Sequence, residues 1–223
     1  MHKFTKQFVD YCENNLNIKE VMNYRYKSLP ICLIDCVYSL RAKYYSVTIP
    51  IVQRYADMYL NGDIYSDADT VSDFIQHMDE IGHQAFADNV VRNHQKLAGN
   101  IPKEEVCYKL AQYLYYLHIE NIEDFQKFES SELLEIVIKA VKGIGDAGAN
   151  YLFMLAGDAD RCKPDVHIHH CIKDACDCNI SNKECQILFT DTVTIMKEKY
   201  PELTVRMLDG IIWRKYQSKN DKR

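Results

Sequence analysis

Residues 141–170 read VKGIGDAGANYLFMLAGDADRCKPDVHIHH. Near their end a single acid, Asp165, stands just ahead of His167, His169 and His170. A carboxylate held in one direction can steady a developing positive charge or activate a water. Earlier in the same stretch, Lys142-Gly143-Ile144-Gly145-Asp146 separates two helix-like segments, 131–141 and 146–157. Two glycines one residue apart allow a tight turn and let another backbone come close. The helix that follows begins with unpaired N–H groups, which together form a ready site for an anion such as phosphate. Plainer readings stay open. The turn could be an ordinary connection between antiparallel helices, Asp165 an ordinary helix cap, and the histidines core or surface residues.

A metal site is another reading of the same residues. Asp165, His167 and His169, with His170, Cys162, Cys171, Cys176 and Cys178 nearby, are all ligand types for zinc or iron. A helical metal-dependent hydrolase could use them. Spacing argues against it, because residues that share a helix face lie three or four apart, not two.

The elements that must position these residues are helical throughout. FTKQFVDYCENNL puts Phe4, Phe8, Tyr11 and Cys12 on one face. PICLIDCVYSL is apolar on nearly every side and predicts a buried helix with Pro30 in its first turn. TIPIVQRYADMYL, DADTVSDFIQHMDEIG, KEEVCYKLAQYLYYL and SSELLEIVIKAV continue the pattern, the second opening on an Asp/Thr cap and stopping at Gly82. VHIHHCIKDAC follows Asp165, and two further helices are predicted near 180–198 and 203–217. No convincing hairpin pair occurs, and LNGDIYSDAD and LAGNIPKEE read as connections. The expectation is an all-α protein of roughly ten helices.

Bulk properties agree with a soluble globular chain. Of 223 residues 47% are hydrophobic and 26% charged, with eight Gly and five Pro. A formal net charge of −5 and a pI near 5.9 argue mildly against a nucleic-acid binder judged on total charge, although local fields decide binding. Nine cysteines in no regular framework predict reduced thiols in the cytoplasm. No signal-type leader and no long apolar run is present, so no membrane partner is expected.

The order of parts carries more than any one of them. Helix, KGIG turn, apolar helix, a loop with Pro164, then Asp165-Val166-His167-Ile168-His169 resembles the helix-hairpin-helix DNA glycosylases, whose pattern joins a Gly-x-Gly hairpin to a catalytic aspartate opening a later helix. The matching stretches here are Val141-Lys142-Gly143-Ile144-Gly145-Asp146-Ala147-Gly148-Ala149 and Pro164-Asp165-Val166-His167-Ile168-His169-His170. The resemblance implies two helical lobes, 31–140 and 1–30 plus 141–223, with the catalytic acid in a cleft between them. It implies hydrolysis of the bond between deoxyribose and a damaged or modified base flipped out of double-stranded DNA, by a monomer in the cytoplasm, for repair or for defence against modified viral DNA. Asp165 would be catalytic. Lys142, Gly143, Ile144, Gly145, Asp146, Ala147 and Gly148 would hold the DNA backbone, and the hairpin carbonyls could bind a sodium or potassium ion. Tyr38, Arg41, Tyr44, Tyr45 and His167 would line the base pocket or fill the opened stack.

Departures from the pattern sharpen the expectation. Ala147 stands where bifunctional relatives carry a lysine that attacks the sugar, so strand cleavage is not expected. Gly148 replaces a usual Ser or Thr, and His170 a usual Arg. Cys171, Cys176, Cys178 and Cys185 have the wrong spacing for the iron–sulfur cluster of some relatives, and no cofactor is required. A catalytically silent DNA-binding protein on the same scaffold is the alternative.

Overall fold

The computed structural model describes residues 1–19, 25–128 and 131–220. Among them the chain is helical almost throughout, as its periodicity predicts. It divides into two compact units, Arg25–Gly157 and a second built from both ends of the chain, Met1–Tyr24 with Asp158–Arg223.

The larger unit is organised around α2 (Leu29–Ser39), after the first helix of the chain, α1 (Thr5–Asn15). Ser28 caps α2 by accepting from the Ile31 N–H at 3.1 Å, and Pro30 sits in the first turn where no N–H is missed. Every residue from Leu29 to Tyr38 is buried. Around it lie α3 (Ile49–Tyr59), α4 (Val71–Ile81), the single turn α5 (His83–Ala85), α6 (Lys103–Tyr116), α7 (Ile122–Lys127), α8 (Glu132–Ala140) and α9 (Asp146–Leu155), with π-helical turns at Tyr44–Thr48 and Phe86–Val91. A Thr70/Asp73 capping box starts α4, and Gly82, at φ 79°, ends it.

Asp35 and Lys103 are among the charged side chains buried in this unit. Asp35 of α2 is fully buried and accepts hydrogen bonds from the hydroxyls of Tyr26 (2.8 Å), Tyr44 (2.8 Å) and Tyr151 (2.9 Å). It thereby ties the segment before α2, the first π-turn and α9 to the central helix. Lys103, 1% exposed, donates from Nζ to the carbonyls of Tyr38 (3.0 Å) and Leu40 (2.8 Å) and to Gln95 Oε1 (2.9 Å). The carbonyls at the end of a helix lack internal partners and carry its negative pole, so a buried ammonium is well placed there. Burial still holds its pKa down to about 8.

The smaller unit packs α1 with α10 (Val166–Cys176), α11 (Asn182–Met196) and α12 (Val205–Asn220). Phe8, Cys12, Ile168, Ile172, Leu188, Phe189, Leu208 and Ile212 form its core. Ser181 and Glu184 make the capping box of α11.

Two expectations are corrected. A short antiparallel hairpin does form, pairing Lys96 with Pro102 and Leu97 with Ile101; its turn uses Gly99 at φ 82° and Asn100 at φ 62°. Two-residue strands leave too little alternation to be read from sequence. The division of the chain also falls elsewhere. Residues 141–157 belong with 25–140, because Val141, Ile144, Ala149, Leu152 and Phe153 all enter the core of the larger unit. Among the described residues no helix is long and apolar enough to cross a membrane.

Removing the Asp35 carboxylate takes away the shared acceptor of three half-buried tyrosine hydroxyls. Asp35→Ala is expected to lower unfolding stability by about 3 kcal/mol or more, and Tyr151→Phe by about 1–2 kcal/mol. Urea denaturation followed by circular dichroism measures both.

Candidate functional site

Asp165 ends a loop, 158–165, that is fastened from several sides within the smaller unit. Asp158 accepts from the Asp160 N–H (2.8 Å) and from Arg161 Nε (2.9 Å). Gln186 of α11 accepts from the Cys162 N–H (3.0 Å) and donates to the Asp160 carbonyl (2.7 Å). From α12, the Arg206 N–H donates to the Ala159 carbonyl (3.0 Å), and Asp209 accepts from the Lys163 N–H (2.7 Å). The Asp165 N–H then turns back to the Lys163 carbonyl at 2.7 Å, across Pro164.

The Asp165 side chain caps α10. Its Oδ1 accepts from the N–H groups of His167 (2.9 Å) and Ile168 (3.2 Å). Its Oδ2 takes no hydrogen bond from the described residues, and the residue is half-buried. One oxygen therefore fixes the direction of the group, and Asp165 is the helix cap that the plainer reading expects.

The histidines that follow diverge. His169 places Nε2 3.0 Å from Asn182 Oδ1 and Nδ1 3.8 Å from the Cys185 thiol, facing α11. His167 meets the edge of Trp213 on α12, ring centres 6.2 Å apart, and its Nδ1 is buried without a hydrogen-bond partner among the described residues. His170 is exposed. Asp165, His167 and His169 do not converge on one point, and no group of three metal-ligand side chains is found among the described residues.

Asp209 was not singled out by the sequence. It is 4% exposed, and its pKa is pushed up to about 8, first by burial and then by the negative charge of Asp165; the Lys163 N–H and the charges of Lys163 and Arg206 oppose the shift. A lone acid inside the apolar run LTVRMLDGIIW was the available signal, as was the acid of LIDCV for Asp35.

In the larger unit, α8 and α9 are joined by a turn at 141–145. Val141 and Ile144 point into the core, while Lys142, Gly145 and Asp146 are exposed. Of the two turn glycines, Gly143 is the one required. It sits at φ 106°, and a Cβ there would lie 2.9 Å from Leu97 Cδ1 of the hairpin. Gly145 has extended backbone and open space around it, so it needs no glycine for geometry. It is the N-cap of α9 without a side-chain cap, so the N–H groups of the first turn meet no capping side chain. Lys142 has no hydrogen bond or ion pair with the described residues and passes over Gly99. Asp146, on the first turn, is paired with Lys139 at 2.8 Å, which also holds Glu135 at 2.7 Å. Ala147 is half-buried. Gly148 packs toward Leu40 and Ile144, and its carbonyl accepts from the Cys36 thiol (3.3 Å).

The expected pocket residues separate by depth. Tyr38 is wholly buried with Lys103 Nζ 5.6 Å from its ring centre, and offers no face for stacking. Tyr44 is half-buried and spends its hydroxyl on Asp35; burial and that charge raise its pKa. Tyr45 stands edge-on to it, 58% exposed. Arg41 is exposed at φ 55°, just beyond the end of α2. Tyr44, Tyr45 and Arg41 thus share one short surface segment, and Tyr38 lies beneath it in sequence but inside the core.

A family profile described as a domain of unknown function (DUF8548) matches residues 6–218. None of the curated proteins and none of the solved structures compared matches the chain.

The two glycines should respond differently to a methyl group. Gly143→Ala is expected to cost about 1–3 kcal/mol through its left-handed backbone and the Leu97 contact, and Gly145→Ala less than about 1 kcal/mol. At the cap, Asp165→Ala should cost about 1 kcal/mol while Asp165→Asn stays within about 0.5 kcal/mol of wild type. Chemical denaturation of the four variants checks the order.

Proposed function

The chain belongs to this family of unknown function, and we propose that it is a monofunctional DNA glycosylase. The observation that carries the reading is Asp165: a carboxylate aimed by its own helix cap, at the end of a fastened loop, with one oxygen taking no hydrogen bond from the described residues. As a base departs, its sugar gains oxocarbenium character. A carboxylate close to that carbon stabilises the charge or draws a proton from the attacking water. A group already fixed in direction does this without first paying to reorient.

The α8–turn–α9 unit serves, on this reading, as a helix-hairpin-helix that holds the DNA backbone. The first turn of α9, which has no side-chain cap, offers N–H groups to a phosphate, and Lys142 adds a cation with no ion pair among the described residues. Lys139 offsets the charge of Asp146, which would otherwise repel the strand. The hairpin carbonyls could also take a sodium or potassium ion. Arg41 and Tyr45, both exposed, are the groups available to enter or stack upon the opened duplex. Ala147 has no amine with which to open the sugar, so the product is an abasic site and the strand stays intact. Damaged bases and the modified bases of viral DNA are both candidate targets, met in the cytoplasm.

The test is abasic-site formation on duplexes carrying plain, alkylated, deaminated, oxidised or hydroxymethylated bases, read by alkaline cleavage on a gel. Wild type should release one of these classes, and Asp165→Asn should slow release by about 10²-fold or more while gel-shift affinity is kept. Borohydride should trap no covalent adduct. Lys142→Ala should weaken binding to all sequences and lower the slope of affinity against salt by about one. DNA binding without any base release would leave the silent-binder reading in place.

A further inference from the structure

A second carboxylate serves the loop that presents Asp165. Asp209 lies in α12 and is 4% exposed. Its Oδ2 accepts from the Lys163 N–H at 2.7 Å, and the carbonyl of the same residue accepts from the Asp165 N–H at 2.7 Å. Two short hydrogen bonds through one residue therefore link Asp209 to the backbone of Asp165. One turn earlier on α12, the Arg206 N–H holds the Ala159 carbonyl. The face of α12 that carries Arg206 and Asp209 thus grips the loop at both its start and its end.

We propose that Asp209 is a positioning residue for Asp165, setting the direction of that carboxylate through the Lys163 backbone. The inference rests on the reading of Asp165 as the acting group. Asp209 itself touches no substrate.

The electrostatics follow from the packing. Facing Asp209 are Asp165 at the head of α10, Lys163 and the Cys162 thiol on the loop, the Cys185 thiol on α11 and Arg206 on its own helix. Burial and Asp165 favour the neutral acid, while Lys163 and Arg206 favour the charged one; the first pair prevails, and the group titrates at about 8. A second charge beside Asp165 would repel the carboxylate that the loop exists to aim. The folded pKa lies above the unfolded value of 3.8, so the stabilising effect of Asp209 is complete below about 4 and is lost as pH rises through 8.

Asparagine is the decisive substitution, since it copies the neutral acid and cannot ionise. With the DNA substrate released by wild type, kcat should fall on an alkaline limb near pH 8. Asp209→Asn should keep kcat at pH 7 within about threefold and lose that limb, while Asp209→Ala should lose about tenfold or more in kcat with KM little changed. A limb that persists unaltered in Asp209→Asn, or an asparagine variant as impaired as alanine at pH 7, overturns the proposal. If no DNA is processed at all, the glycosylase reading fails separately, and ¹³C-carboxyl NMR of the unliganded protein decides this one. Asp209 should titrate near 8 in wild type and lower in Asp165→Asn, and the Lys163 and Asp165 amide shifts should move with it. Lys163 and Asp165 amides indifferent to the protonation of Asp209 overturn the positioning role.

Discussion

A side-chain carboxylate that caps a helix has given up its rotational freedom. Once Oδ1 of Asp165 holds the first N–H groups of α10, the direction of Oδ2 is set by the helix itself and by the loop that delivers the residue. That loop contains no regular structure, so its precision must come from elsewhere. Gln186, Arg206 and Asp209 provide it with hydrogen bonds to backbone groups, and Asp158 adds a turn of its own. Two side chains and one backbone N–H on α11 and α12 thus do for this loop what a ladder does for a strand.

The larger unit meets a related problem inside its core. A helix buried on all sides can be held by shape alone, but shape tolerates rotation and sliding. Asp35 and Lys103 remove that tolerance, since each has partners at fixed distances on several elements. A buried charge is costly unless it is paired or fully hydrogen-bonded. The three tyrosines around Asp35, and the carbonyls around Lys103, are arranged as that cost demands. The same network passes close in sequence to Arg41 and Tyr45, so the exposed segment that follows α2 is anchored by groups it does not display.

Total charge says little about any one patch of the surface. The chain is acidic as a whole, yet the turn between α8 and α9 presents a lysine with no ion pair among the described residues and a helix start with no side-chain cap, while Asp146 beside it is paired with Lys139. Fields at a surface are set over a few ångströms in this way, and a sum over 223 residues averages them away.

The helical character of the chain, Pro30 in the first turn of α2, the stop at Gly82 and the start of α10 at Asp165 were all legible from sequence, because periodicity and capping depend on neighbours within a turn or two. The special conformation of the 142–145 turn was legible as well, although only Gly143 proved to need it, and that need comes from Leu97, far off in the chain. The division of the chain was not legible, since it depends on which core Val141, Ile144 and Phe153 enter. Nor were the depth of Tyr38 or the hydrogen bond of Asp209 to the loop before Asp165. Each of these is decided by residues distant in sequence that meet only when helices pack, and a one-dimensional pattern holds no record of such meetings.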